Sequence, residues 1–195
     1  MLLITILEIF YLFILVAVVA YVFMGATPIS RRIIGLGLLK RKKFDWNEFK
    51  FAAIVAAPGI VLHELSHKFI AIAFGLSAQF YIWPTGIIIA VILKAINSPF
   101  ILIAPGYVGI SEGATTLQSV LISFGGPAVN LALWILCGYL LKTNLSRKVA
   151  IGVFLTKEIN KLLFIFNMIP IPPLDGYKVI GGLLKLSGLS GLLFG

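Results

Sequence analysis

The chain has 195 residues, of which 60% are hydrophobic and only 12% are charged. A soluble domain of this length carries about twice that share of charge, so the composition excludes a water-soluble fold and predicts an α-helical polytopic membrane protein. The net charge is +9, but basic residues concentrate in the connecting segment 25–50, where they are typical topology signals that contact membrane lipid. We therefore expect no nucleic-acid partner. The single Cys137 excludes an intrachain disulfide.

The first predicted element is an apolar run at 2–23, interrupted only by Thr5 and Glu8. It is longer than the core of a signal peptide, which has about 7–15 residues, and it does not begin with basic residues. We interpret it as a retained membrane span. The following residues, 29–39, place two arginines beside apolar side chains, a pattern typical of a short interfacial helix.

A second span is predicted at 51–74, and the motif HELSH at 63–67 lies near its middle. Because positions i and i+4 share one face of a helix, His63 and His67 can both bind one metal ion. Glu64 is close enough to hold a metal-bound water, which is the arrangement of zinc proteases. The alternative is a chance match. However, an ionised carboxylate inside a span costs about 2.5–3.5 kcal/mol, which a metal-centred network can offset and apolar packing cannot.

The segment 79–112 is apolar but is broken by prolines and glycines. Its short β-branched and aromatic pieces leave two interpretations, a broken helix or strands that form a membrane-associated β-hairpin. Irregular backbone at membrane depth is tolerated only where it is buried in protein or lines a cavity. Both interpretations therefore place this segment beside a cavity.

Two further spans are predicted at 117–141 and 149–168. A proline run at 169–176 ends the last of them, and a Gly-rich apolar stretch follows, either a partial span or an interfacial helix. No internal repeat is visible in the sequence, so an inverted-repeat transporter is not supported.

Asp175, in PPLDG, is the candidate for a third metal ligand. Zinc held by two histidines needs a third protein ligand, which leaves one position for water. Asp175 is the only carboxylate in the last 37 residues and follows a break in an apolar segment. The alternative is an ordinary turn, where Asp is common. The other carboxylates are weaker candidates because of where they lie: Glu8 near the start, Asp45 and Glu48 in the basic loop, Glu112 in the broken segment, and Glu158 beside Lys157 and Lys161.

Three asparagines in the later spans leave two roles open. Asn167 and Asn160 are seven residues apart and so share a helix face, and Asn130 lies in GGPAVN at 125–130. Asn amides in membrane helices bond one helix to another, but they also donate to the oxyanion of a tetrahedral intermediate. We assign the catalytic role to Asn167, and a structural or substrate-positioning role to Asn130.

Three motifs in order, HELSH, GGPAVN and FNMIPIPPLDG at 166–176, resemble the site-2 protease family of intramembrane metalloproteases. The resemblance implies a three-helix catalytic core at 50–180, preceded by an N-terminal span and basic interfacial segment at 1–49 and followed by a C-terminal apolar segment at 181–195. It also implies a multi-pass protein of the cell membrane.

The resemblance further implies one zinc ion per chain, held by His63, His67 and Asp175, with Glu64 as the base and Asn167 beside the reacting carbonyl. The reaction would be cleavage of a transmembrane helix of a membrane-protein substrate, as in regulated intramembrane proteolysis. Strands in the place of 79–112 are expected to pair with the unwound substrate.

The chain departs from the family pattern in three respects. Tyr177 stands where the family often has a second glycine after LDG. No PDZ or CBS domain accompanies the core, so regulation through such domains is not expected. The positive-inside rule places segment 25–50 inside, whereas the family brings its HExxH helix in from outside, so the orientation is left open.

Two other functions compete with a protease. A metal transporter should show a trail of ligands along its path, whereas both histidines of this chain fall in one motif. A catalytically inactive scaffold is less favoured because each expected ligand is present. The sequence predicts neither the substrate, nor the cut site, nor a regulator, nor the oligomeric state.

Overall fold

The computed structural model describes residues 3–25, 44–96 and 106–189. The predicted interfacial helix at 29–39 and the apolar piece at 100–104 lie outside these residues. In chain order the described elements are α1 (Ile6–Phe23), α2 (Trp46–Ala73), β1 (Ala78–Ile82), α3 (Pro84–Ala95), β2 (Gly106–Ile110), α4 (Thr116–Leu140), α5 (Arg147–Asn167) and α6 (Asp175–Leu186).

Among the described residues, α1, α2 and α4 are long and apolar enough to cross a membrane. The helix α5 occupies the place of the predicted fourth span and has 21 residues, but it is not in this apolar group. The charged side chains of Lys157, Glu158 and Lys161 lower its hydropathy. Glu158 pairs with Lys157 at 3.1 Å and with Lys161 at 3.8 Å. The predicted class, an α-helical polytopic membrane protein, is confirmed.

The chain divides into two compact units, Met1–Pro58 with Ile82–Gly106, and Gly59–Tyr81 with Tyr107–Gly195. In the first unit, Thr5 caps the start of α1. Its hydroxyl accepts from the Glu8 amide at 3.2 Å, and the Glu8 carboxylate accepts from the Thr5 amide at 2.8 Å. Lys94 of α3 donates to the carbonyl of Met24, just after α1. The carboxylate of the N-terminal span thus serves as part of a capping box.

The segment 79–112 contains both kinds of structure that the sequence left as alternatives. The strands β1 and β2 pair in an antiparallel two-stranded sheet, and α3 lies between them in the chain. The predicted β-hairpin is confirmed, and the connection between its two strands contains a helix as well. Pro84 is well suited to the first turn of a helix, and after Gly86 the helix contains no further glycine or proline until it ends at Ala95.

In the second unit the sheet packs on the helices that carry the motifs. The centre of this contact is a cluster of three buried residues, Ala71 of α2, Ala78 of β1 and Ile122 of α4. Val108 and Ile110 of β2 pack against this cluster from the sheet. This packing fixes the end of α2 that follows HELSH.

Glycines allow the helices of the second unit to approach closely. A Cβ atom added to Gly125 would overlap Ile70 of α2, and one added to Gly182 of α6 would overlap Val120 of α4. Small residues are favoured at such contacts because lipid gives membrane helices no hydrophobic reason to associate, so close packing must do so. Because Gly125 and Gly182 have no side chains, both α2 and α6 can pack directly against α4.

We predict that Gly182→Ala destabilises the protein. Val120 is β-branched and has few alternative rotamers, so the new methyl group must displace a helix, at a cost of about 1–3 kcal/mol. The matched control is Gly138→Ala in α4, where an added Cβ meets nothing within 4 Å. That change should be neutral, or stabilising by about 0.5–1 kcal/mol through helix propensity. Thermal unfolding in detergent measures both, and equal midpoints for the two variants would contradict this packing.

Candidate metal centre

Three side chains from two helices converge in the second unit. His63 and His67 lie one turn apart on α2, each 7% exposed, and their Nε2 atoms are 3.2 Å apart. Asp175 is the first residue of α6, and its Oδ2 lies 3.1 Å from Nε2 of His63 and 3.4 Å from Nε2 of His67. The structure thus brings together the three residues that the sequence predicts as ligands.

The spacing of these three atoms fits a tetrahedral zinc site. Ligand bonds of about 2.0–2.1 Å at tetrahedral angles place neighbouring ligand atoms about 3.3 Å apart. The observed separations of 3.1, 3.2 and 3.4 Å lie close to that value on all three edges. The donor set, two imidazoles and one carboxylate, is also one that zinc accepts.

The outer ring nitrogens fix which imidazole atoms face the site. Nδ1 of His67 is 2.7 Å from the carbonyl oxygen of Ile122, which only accepts, so this nitrogen carries the proton. Nδ1 of His63 is 2.7 Å from Oδ1 of Asn130, whose amide nitrogen donates elsewhere. In their neutral form, which metal binding requires, both rings therefore present unprotonated Nε2 atoms to each other and to Asp175. Such a grouping of lone pairs is repulsive without a cation among them.

The Asp175 carboxyl group is ionised in this setting. Burial acts to raise its pKa, but when the imidazoles are protonated on Nε2, hydrogen bonding with His63 and then His67 outweighs burial and holds the pKa well below the usual range. Its position in the first turn of α6 also places a negative charge at the positive end of the helix dipole. The site therefore offers one anionic and two neutral ligands.

Glu64 lies next to His63 on α2 and is half-buried. It is close enough to His63, His67 and Asp175 to interact electrostatically with each of them. This is the location that a base acting at a metal-bound substrate would require.

Gly126 of GGPAVN lies at the metal centre, although the sequence predicted no role for it. A Cβ atom added there would lie 2.5 Å from Nε2 of both His63 and His67. The space beside the two ligand atoms therefore exists only because α4 has no side chain at this point. The available signal was a Gly-Gly-Pro sequence inside an apolar span, but its meaning depends on which helix faces it.

The predicted asparagines take different places. Asn130 is fully buried and contacts His63, so of its two predicted roles the structural one has a specific contact. Asn160 is also fully buried and bonds to Asn130 at 2.9 Å. Asn167 is the last residue of α5 and is partly exposed. It is not one of the three converging side chains, and its catalytic role stays a prediction.

Comparison with known proteins gives relatives in archaea and bacteria. The chain is 36% identical to MJ0611 of Methanocaldococcus jannaschii over 137 residues, 68% of this chain and 70% of the relative. It is 35% identical to YwhC of Bacillus subtilis over 33% of this chain and 34% of that protein. It is 29% identical to Rip2 of Mycobacterium tuberculosis over 62% of this chain and 52% of that protein. All three carry provisional names as zinc metalloproteases.

No family model matches the chain, and no solved structure matches it. Membership therefore rests on the relatives, of which the archaeal one shares more than two thirds of its length with this chain. The names of these relatives agree with the His-His-Asp cluster and with the apolar helix that carries two of its residues. By this relationship the chain belongs to the site-2 protease-like family of zinc metalloproteases.

Proposed function

We propose that the chain is an intramembrane zinc endopeptidase that hydrolyses a peptide bond within the transmembrane helix of a membrane-protein substrate. The observation that carries the proposal is the convergence of Asp175 of α6 with His63 and His67, beside Glu64, on α2, a helix long and apolar enough to cross a membrane. A site built into such a helix is within reach of a peptide bond that is itself in the membrane. The protein would be a multi-pass protein of the cell membrane.

In this proposal His63, His67 and Asp175 hold one zinc ion per chain. When bound, zinc supplies Lewis-acid chemistry, in which it polarises a carbonyl group and makes water more acidic. Glu64 accepts the proton of the attacking water and then donates a proton to the leaving amine, acting as base and acid in turn. Asn167 donates its amide N–H to the oxygen of the reacting carbonyl.

A helical substrate has its peptide bonds engaged in the helix, so it must unwind locally before it reaches the site. The sheet of β1 and β2 follows α2 within a few residues and, in the part of the chain that the structure describes, has two strands. An extended segment can add to such a sheet as a further strand, which compensates for hydrogen bonds lost on unwinding. Membrane lipid covers the apolar side chains exposed on α1, such as Ile6 and Phe13.

Removing a ligand should remove zinc. We predict that His63→Ala and Asp175→Ala each lose bound zinc, because only two protein ligands remain in either variant. Glu158→Ala is the matched control, since this carboxylate pairs with Lys157 and Lys161 and should not affect the metal. Zinc is measured per chain in purified protein. If Asp175→Ala retained about one zinc ion per chain and Glu158→Ala lost its zinc, the third ligand would be Glu158 and not Asp175.

Replacing the base should separate catalysis from metal binding. We predict that Glu64→Gln keeps its zinc but cleaves a model transmembrane substrate at least about 100-fold more slowly, since glutamine cannot accept the proton. Zinc content and cleavage are measured on the same preparation. Full activity with zinc retained would exclude Glu64 as the base, and loss of zinc would make it a ligand.

A side chain at position 126 should block the site. We predict that Gly126→Ala lowers zinc occupancy, because its methyl group would crowd Nε2 of both His63 and His67. Gly138→Ala, in the same helix with open space around it, should bind zinc normally. Zinc titration of the two variants compares them directly. Normal zinc affinity in Gly126→Ala would mean that α4 lies farther from the imidazoles than the structure has it.

A further inference from the structure

We infer that Asn160 of α5 is a positioning residue for the metal centre, and that it acts on His63 through Asn130. The inference rests on the proposed zinc site, in which His63 binds through an unprotonated Nε2. It goes further by assigning the choice of His63 tautomer to a residue that contacts none of the three ligands.

The contacts form a continuous chain of hydrogen bonds from α5 to α2. The amide nitrogen of Asn160 donates to the carbonyl of Thr156 at 2.8 Å, and its Oδ1 accepts from the amide nitrogen of Asn130 at 2.9 Å. The same nitrogen of Asn130 donates to the carbonyl of Gly59 at 3.1 Å, and Oδ1 of Asn130 accepts from Nδ1 of His63 at 2.7 Å. Each nitrogen and oxygen atom of these two amides has at least one hydrogen-bond partner.

The donors and acceptors in this series of hydrogen bonds cannot be exchanged, because the bonds to Thr156 and Gly59 end on main-chain carbonyls, which only accept. If the Asn160 amide turned over, its oxygen would face the oxygen of Thr156, and its nitrogen would face the nitrogen of Asn130. If Asn130 turned over instead, its nitrogen would face Nδ1 of His63. His63 could then keep that contact only by carrying its proton on Nε2, where it would block metal binding. The Thr156 carbonyl on α5 thus acts together with the Gly59 carbonyl to select the tautomer of His63.

Burial makes a reversed orientation of either amide costly in free energy. Asn130 and Asn160 are both 0% exposed, so bulk water does not replace a lost partner, and an unsatisfied buried amide group costs about 1–3 kcal/mol. Gly59 makes room for the Asn160 side chain, because a Cβ atom on Gly59 would overlap its amide. The orientation of the relay is therefore fixed by hydrogen bonding, and the close approach of α2 and α5 depends on the glycine.

A simpler role for Asn160 is to hold α5 against α4, as Asn amides do in many membrane helices. That role requires a hydrogen bond but no particular effect on His63. The two roles differ in one measurable property, the position of the proton on the His63 ring. The chain contains only two histidines, so their ring nitrogens are readily resolved in protein labelled with ¹⁵N-histidine.

The test compares the full chain with Asn160→Leu and Asn160→Asp, in the zinc-free state and at a pH where imidazoles are neutral. In the wild type, both histidines should carry the proton on Nδ1. In Asn160→Leu only the Gly59 carbonyl still orients the Asn130 amide, so a His63 tautomer with its proton on Nε2 should appear beside the wild-type one. His67 is the internal control, because its Nδ1 proton is held by the carbonyl of Ile122 and should not move. Asn160→Asp, with its buried carboxyl group protonated, can donate to Thr156 and accept from Asn130, and should therefore preserve the wild-type tautomer.

Zinc affinity is measured on the same proteins by competition with a chelator. Asn160→Leu should bind zinc about 10–100-fold more weakly, as is typical when an outer partner of a metal-binding histidine is lost. Asn160→Asp should stay nearer the wild type. Asn144→Leu, the same substitution at an exposed position, should have no effect. If Asn160→Leu does not fold, Asn160→Ala removes the same two contacts with a smaller side chain.

An unchanged His63 tautomer in the Leu or Ala variant would overturn the relay, whether or not zinc affinity falls, and would leave Asn160 a purely structural role. A change of tautomer at both histidines would also overturn it, because that result indicates general disruption. Failure of the wild type to bind zinc would instead overturn the proposed function. The zinc-free spectra would still decide the relay in that case.

Discussion

The structure of the second unit depends on one electrostatic constraint. Two imidazole nitrogens and a carboxylate oxygen lie 3.1–3.4 Å from one another in a largely apolar setting, and such a group needs positive charge among its atoms, from a metal ion or from protons. Meeting this constraint requires α2 and α6 to approach each other, with α4 close beside both. Gly126 and Gly182 allow that approach, and the hydrogen bonds from Ile122 and Asn130 turn the rings so that the correct nitrogens face inward.

The features that follow from chain-local rules were predictable. The i, i+4 spacing of His63 and His67 places both on one helix face without knowledge of any neighbour. Asp175 followed by elimination, since zinc needs a third ligand and the other carboxylates lie near the start, in basic or broken segments, or beside lysines. The spans of α1, α2 and α4 followed from length and hydropathy, to within a few residues at each end.

The features that depend on distances between helices were not predictable. Gly126 matters because α4 faces the imidazoles at that residue, and nothing in GGPAVN states which helix it faces. Asn160 and Asn167 share a face of α5 by their spacing, yet only Asn160 lies where it reaches Asn130. The segment 79–112 was ambiguous because short apolar pieces suit a strand or a buried helix equally well, and here both occur in sequence.

The two ligand histidines are oriented by acceptors of different chemical kinds, and this difference has an evolutionary consequence. His67 bonds to a main-chain carbonyl, which any amino acid at position 122 would supply. His63 bonds to a side-chain amide that few residue types can imitate. Mutational tolerance should therefore be unequal around the centre. Drift at position 122 is limited only by packing, whereas a change at position 130 demands a compensating change elsewhere, and the second histidine is the more robust half of the motif.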